Sequence, residues 1–326
     1  MENKNINVGF WAKDVLKLLP GTPFEGIFVI EATDIKKHKT GEPFLRVVLS
    51  DKTGGFTALW WKPPKDEDLS KYKKGDVVFV KGTFELHQGK PQPRLVVFRK
   101  LKEGEYPPEK FIEFSKYDID EMILQVYEII DTIKNPFLKT LLEKIFKDDN
   151  VLKKIKVTPG GKKVHHAAIG GLLEHTLGVV EICEVVVKRY KKLDRDLLIA
   201  AALLHDIGKI FEYKLTNTFE ITDKGKLLGH VYLGTEFVSK VIDTIPDFPE
   251  SLKIKLLHCI LAHQGEYEFG SPKRPKTLEA AALHLADSLD AKLKAFEEFI
   301  EKEMEEGEVW TKMHPAYMVP IYFDKE

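Results

Sequence analysis

"LIAAALLHDIGK", residues 198–209, is the stretch whose reading decides the fold of the larger part of this chain. Its first seven residues, Leu198 to Leu204, are apolar on every side, and a helix of that kind is buried. Directly behind it stand His205, Asp206 and Lys209. Titratable side chains are rarely fully buried unless they are paired or bind metal. A core helix that runs straight into His-Asp therefore needs partners for both.

Working outward, the pattern is helical from Asp118 to the C-terminal end. "DIDEMILQVYEIIDTI" (118–133) has a 3.6-residue apolar period and stops near Asn135-Pro136, and "FLKTLLEKIF" (137–146) follows. Further helices are expected over roughly 166–190, 194–206, 229–244, 250–263 and 277–302, the last with Thr277 as cap. Residues 22–101 read differently. "FEGIFVIEATDI", "FLRVVLSD", "FTALWW", "DVVFVKGTFEL" and "PRLVVFRKL" are five short strands without a helical period, and "DKTGG" is a compact hairpin turn. Five strands in about eighty residues predict a small all-β barrel. Leu45, Val47 and Leu49 alternate with Phe44, Arg46 and Val48, so one set must face the interior. Trp60 and Trp61 must point to opposite faces. The polar, Pro-containing "KEGEYPPEKFIEFSKYD" reads as a linker. The expected organisation is a barrel domain over 1–103, a linker over 104–117 and an all-α domain over 118–326.

Composition agrees with a soluble multidomain protein. The 326 residues are 43% hydrophobic and 31% charged, with a net charge of −1. No apolar run reaches the ~18 residues of a membrane helix, and "MENKNINVGFW" does not read as a signal peptide. Cys183 and Cys259 sit inside apolar helical patterns, as small hydrophobes of a reducing compartment. A cytoplasmic location without membrane contact is expected. Residues 1–105 carry 19 Lys and Arg against 14 Asp and Glu, while the remainder carries 31 against 37. A basic module joined to an acidic one fits nucleic acid on the first and cations in the second.

The helical part holds a constellation. His175, His205 with Asp206, His230, His263 and Asp287 each lie among apolar neighbours on separate helical segments. One buried histidine is usually a hydrogen-bonded core residue. Four histidines and two aspartates are harder to bury one by one. Convergence on divalent cations satisfies them together, because neutral imidazoles and carboxylates are good ligands for Zn, Mn, Fe or Co. A carboxylate between two sites can bridge two ions.

"FLRVVLSDKTGGFTALWW" resembles an OB-fold of the anticodon-binding type. Such barrels bind single strands by aromatic stacking and basic side chains, which makes Phe44, Arg46, Trp61 and Lys52 candidates. The ordered pattern His…His-Asp…His…His…Asp resembles the HD superfamily of metal-dependent phosphohydrolases. That resemblance implies His175, His205, Asp206 and Asp287 around a first metal, and His230 and His263 around a second, with Asp206 bridging. Nearly the whole chain, from about Thr22 to "GEVWTKMHP", with "HHAAIGGLLEHTLGVVE", "LLHDIGK" and "HQGEYEFGSPKRPKTLEAAALHLADSLDAK", is similar to the YhaM-type 3′–5′ exoribonucleases. The resemblance implies removal of nucleotides from the 3′ end of single-stranded RNA, with single-stranded DNA as a further substrate. It also implies two divalent ions: manganese first, with iron, cobalt, nickel, zinc or magnesium as alternatives. The family pattern has two adjacent histidines where this chain has His263-Gln264, a departure that weakens the second site unless Gln264 lies away from the ion. His258 is a lesser substitute.

A pair of ions ~3.5–4 Å apart can generate hydroxide and stabilise in-line attack on phosphorus. Asp206 is then the central catalytic residue, with Lys209 one turn away to neutralise a phosphate oxygen. "TPGGKKVHH" (158–166) is Gly-rich and basic, so Lys162, Lys163 and His166, with His165 beside it, are candidates for phosphate contact. Phe269, Lys273 and Arg274 follow His263 on a loop suited to a terminal nucleotide. Asp290, one turn beyond Asp287, can orient a ligand. Two other functions fit parts of the pattern: a nucleotide phosphohydrolase of the HD type, and a single-strand-binding protein with a degenerate metal site, favoured by Gln264. A homo-oligomer is compatible with the chain, but no residue argues for one.

Overall fold

A computed structural model describes residues 9–38, 40–102, 104–107, 110–161, 168–216, 219–304 and 307–324, without the side chain of Phe269. The chain divides into two compact units, Met1–Glu113 with Leu215–Thr218, and Phe114–Lys214 with Phe219–Glu326.

The first unit is a closed barrel. Its strands are β1 (Pro23–Lys37), β2 (Pro43–Asp51), β3 (Gly54–Trp60), β4 (Val77–Thr83) and β7 (Arg94–Lys100), in the order β1-β2-β3-β7-β4. Two short strands, β5 (Leu86–His87) and β6 (Lys90–Pro91), form a hairpin between β4 and β7, and a one-turn helix, α1 (Ala12–Val15), precedes β1. β1 closes the barrel because it pairs twice. Its first half runs antiparallel to β4, its second half to β2, and a register shift between Ile30 and Ala32 bends it from one neighbour to the other. The alternation in β2 resolves as the pleat demands: Leu45, Val47 and Leu49 are fully buried, while Arg46 is exposed. Trp60 enters the core beside Tyr72 and Phe98, and Trp61 stays half-buried outside it. A buried ion pair, Lys110 to Asp51 at 3.4 Å, locks the residues before β1 and after β7 onto the β2–β3 turn. Asp51 also accepts from the amides of Ala12 and Thr53, and Lys110 donates to the Phe10 carbonyl. Burial lowers the pKa of Lys110, and Asp51 opposes that shift.

The second unit is helical: α2 (Ile119–Asp131), α3 (Pro136–Phe146), α4 (Asp149–Val157), α5 (Gly171–Arg189), α6 (Arg195–Leu204), α7 (Lys209–Glu212), α8 (Asp223–Ile242), α9 (Glu250–Ala262) and α10 (Leu278–Glu303). Side chains of Asp118, Asn135, Asp148, Asp194, Thr222 and Thr277 accept from the first free amides of α2, α3, α4, α6, α8 and α10. α6 is the hub. All eight residues Leu197–Leu204 are buried, and the helix packs against α5, α9 and α10. Each large apolar side chain buried there contributes about 1.5–3 kcal/mol, so the hub fixes where α6 ends and His205 begins.

Two helix boundaries differ from expectation. The helix expected from 166 begins at Gly171, behind the short extended stretch Ala168–Ile169. The helix expected from 229 starts at Asp223 and is broken at Gly229, where φ is 72° and ψ is 156°. Only glycine takes that conformation at little cost, so the sequence period restarts there. No helix among the described residues is long and apolar enough to cross a membrane.

Candidate metal centre

The apolar hub delivers His205, fully buried, to the C-terminal end of α6 and Asp206, 2% exposed, just beyond it. α5 brings His175, the broken α8 brings His230, the end of α9 brings His263, and α10 brings Asp287. The six side chains meet in two trios. His175, His205 and Asp287 form one, and Asp206, His230 and His263 the other; within each, one donor atom per residue lies within 4.8 Å of the others.

Asp206 spans both. Its Oδ2 is 3.6 Å from His175 Nε2 and 3.4 Å from His205 Nε2. Its Oδ1 is 3.4 Å from His230 Nε2 and 3.5 Å from His263 Nε2. One carboxylate thus turns an oxygen toward each trio.

All four imidazoles are held by Nδ1. His175 donates to Asp290 at 2.6 Å and His230 to Glu212 at 3.1 Å. His205 and His263 donate to the carbonyls of Ala202 and Ile260, three residues back on their own helices, at 2.8 and 2.7 Å. Carboxylates and carbonyls only accept, so Nδ1 carries the proton in every ring, and Nε2 faces the centre. His175 Nε2 and His205 Nε2 stand 3.2 Å apart. At that separation the two nitrogens need either a proton on one of them or a cation beside both. In the second trio, Asp206 Oδ1 and His230 Nε2 are buried without a hydrogen-bond partner among the described residues. Leaving such atoms bare costs about 1–3 kcal/mol each. Nitrogen and carboxylate donors with bare buried lone pairs fit a borderline divalent ion.

The charges agree. Asp206, Asp287, Asp290 and Glu212 bring negative charge to the cluster, and Lys209 returns only part of it. Burial opposes ionisation of Asp206, but Lys209 and His205 outweigh it and hold the carboxyl well below its usual range. Burial likewise works against charge on His175, yet Asp287 and Asp290 overcome it and raise its pKa to about 9. Burial lowers the pKa of His263 despite Asp206. Without metal, a proton on His175 does part of a cation's work.

The remaining sequence candidates are placed as follows. Lys209 donates to Asp206 Oδ2 at 2.5 Å and to the Gly160 carbonyl, so it touches the centre and ties down the start of the 158–166 segment. Lys162, Lys163, His165 and His166 lie outside the described residues. Asp290 sits on His175, where the helical spacing put it. His258 accepts from the Lys276 amide at 2.9 Å and so serves the loop before α10. Gln264 donates to His263 Nε2 at 2.9 Å, on the atom an ion would use. Arg274 is exposed, paired with Glu266 at 2.7 Å and lying over Tyr267, while Lys273 is exposed nearby. Phe269 ends a short turn of helix, Tyr267–Phe269.

On the barrel, Phe44 and Trp61 lie tilted against each other at 4.4 Å between ring centroids, with His38 tilted against Phe44 at 4.7 Å and stacked on Trp61 at 4.8 Å. Phe44 is only 8% exposed, so it backs the cluster and Trp61 and His38 form its outer part. Arg46 is exposed on the same strand as Phe44, and Lys52 lies over Trp11. Sequence reading missed His38 and Glu212. His38 sits in a basic run without periodicity, and Glu212 follows the motif on a helix of only four residues.

Comparison with known proteins places this geometry. The HD domain family matches residues 172–292, which contain all six centre residues, and an OB-fold nucleic acid binding domain family matches residues 29–101. The protein named 3′-5′ exoribonuclease YhaM of Geobacillus sp. (strain WCH70) is 32% identical over 95% of this chain and 96% of its own. The chain belongs to the YhaM family. Further members are those of Bacillus licheniformis, 32% identical over 89% of this chain and 92% of theirs, and Bacillus subtilis (strain 168), 29% identical over the same shares. Family membership covers both units, and with the two trios the HD domain implies dependence on a divalent metal.

Proposed function

We propose that this protein is a metal-dependent 3′–5′ exoribonuclease that hydrolyses phosphodiester bonds of single-stranded RNA and releases nucleoside 5′-monophosphates, with single-stranded DNA as a second substrate. The observation that carries the reading is the position of Asp206, one oxygen toward each trio, with Oδ1 and His230 Nε2 both bare. Residues 118–326 would do the chemistry and residues 1–103 would hold the strand.

Two divalent ions, manganese first, would be held by His175, His205 and Asp287 and by His230 and His263, with Asp206 shared; when bound they supply Lewis acidity at phosphorus and to a water. The chain's own residues do the rest. The four Nδ1 hydrogen bonds fix the orientation of every ring and aim its Nε2 inward. Lys209 adds positive charge beside Asp206, where negative charge grows on the phosphoryl group in the transition state. Trp61, backed by Phe44 and flanked by His38, offers a base a stacking surface, and Arg46 offers the backbone a cation. A strand-binding barrel favours a polymeric substrate over the mononucleotide of an HD nucleotide phosphohydrolase. The buried cysteines are consistent with a cytoplasmic, reducing setting.

The test is a 5′-labelled oligoribonucleotide with manganese. The expected product is a ladder shortening from the 3′ end, with 5′-mononucleotides released and slow turnover of free nucleotides. Tight binding with no shortening would instead favour the single-strand-binding reading, to which Gln264 lends its support.

A further inference from the structure

Glu212 is absent from the constellation legible in the sequence, yet it holds one of its arms. It ends α7, six residues after Asp206, and is 9% exposed. Its Oε2 accepts from His230 Nδ1 at 3.1 Å and its Oε1 from the His230 backbone amide at 3.2 Å. Both oxygens therefore serve one residue.

The amide contact has a cause in the chain. Gly229 leaves helical geometry (φ 72°, ψ 156°), so His230 starts a new helical segment inside α8. The first amides of a helix lack internal partners and favour negative charge. Glu212 meets that need from another element. The ring contact then fixes the proton on Nδ1 and turns Nε2 toward Asp206 Oδ1, 3.4 Å away. Thr222 fastens the support: its amide donates to the Glu212 carbonyl at 2.8 Å and its hydroxyl to the Phe211 carbonyl at 2.9 Å.

We propose that Glu212 is the positioning residue of the second metal site, holding His230 by ring and backbone at once so that a divalent ion meets a preset Nε2. The inference rests on the metal reading given above. Asp290 holds the His175 ring in the first trio, so each trio has one imidazole backed by a carboxylate and one backed by a carbonyl. A carboxylate behind an imidazole makes it a stronger ligand, and losing one typically costs 10–100-fold in metal affinity.

The experiment uses the full chain, stripped of metal and titrated with manganese, with calorimetry for affinity and stoichiometry. Nitrogen-15 NMR reads the His230 tautomer in the metal-free state. In Glu212→Gln, the amide can keep its oxygen on the His230 amide but sets an NH2 group against Nδ1. The expected result is a second-ion affinity weaker by 10–100-fold, an unchanged first ion, and a His230 proton moved to Nε2. Retention of the first ion shows that the variant folds. Glu212→Asp, which keeps the charge on a shorter arm, should recover part of the affinity. Wild type and Glu212→Gln loading both ions equally, with the same tautomer, would overturn the role of Glu212 alone. Wild-type protein that takes up no second ion would overturn the metal reading and this inference with it.

Discussion

His230 Nε2 stands 3.4 Å from Asp206 Oδ1, and both atoms are buried without a hydrogen-bond partner among the described residues. Protein interiors rarely leave donors or acceptors bare, and two facing each other mark a place built for something else. The same carboxylate's other oxygen is occupied by Lys209 and faces the first trio. Asp206 is therefore the one residue whose loss should disable both trios at once. Asp206→Ala is expected to lower nuclease activity by at least ~10³-fold, about 4 kcal/mol in the barrier, while RNA affinity, assigned to the barrel, stays within about twofold. A gel-shift assay run beside the cleavage assay measures both. Loss of both activities in a variant folded by circular dichroism would contradict the division between the units.

The proton on His175 gives a pH dependence whose sign can be worked out. Asp287 and Asp290 raise its folded pKa to about 9 against burial, from an ordinary 6.5. A raised pKa stabilises the fold fully below pH 6.5, and the contribution is lost as pH rises through about 9. At 1.36 kcal/mol per pKa unit the loss is on the order of 3 kcal/mol. Metal-free protein should therefore melt at a lower temperature at pH 9.5 than at pH 6. The drop should vanish in His175→Gln, and it should shrink in metal-loaded protein, where the ion takes the proton's place. Equal pH slopes in wild type and variant would rule out His175 as the group responsible.

Much of this was legible in the residues, for definite reasons. The apolar hub of α6 and the alternation in β2 each have one periodicity compatible with burial, and the structure follows both. His175, His205, Asp206, His230, His263 and Asp287 stood out because each is a polar residue among apolar neighbours. Glu212 did not, because its role depends on a backbone break at Gly229 and on a chain reversal between α7 and α8, neither of which has a local period. Phe44 and Trp61 were found as aromatics, but their contact with each other depends on strand register around the barrel. The break at Gly229 also explains the misplaced start of α8: the period after the kink is in phase with itself and out of phase with the six residues before it.

Gly208 tests how finely the second trio is set. A Cβ there would fall 1.9 Å from the His230 carbonyl oxygen and 2.5 Å from the Gly234 amide, both backbone atoms of α8. Gly208→Ala must push α7 and α8 apart. Such overpacking typically costs 1–3 kcal/mol. The more specific consequence is that His230 moves away from Asp206 while His175 and His205 stay. Manganese titration of this variant should show a weakened second ion and a normal first one. Uniform weakening of both would mean that the displacement spreads through the hub.

Gln264 offers the reverse experiment. Its amide donates to His263 Nε2 at 2.9 Å, so an ion at the second trio must displace that hydrogen bond before it gains the nitrogen. A partly buried hydrogen bond of this kind is worth about 1 kcal/mol net, which corresponds to roughly a fivefold penalty on affinity. Gln264→Ala removes the competitor without adding a ligand, and second-ion affinity should rise about fivefold. Gln264→His, which sets a second imidazole beside His263, should match or exceed that. Calorimetry with the first site already filled isolates the effect. If Gln264→Ala binds the second ion more weakly than wild type, the amide must instead turn its oxygen toward the ion, and Gln264 joins His230 and His263 as a ligand rather than standing in their way.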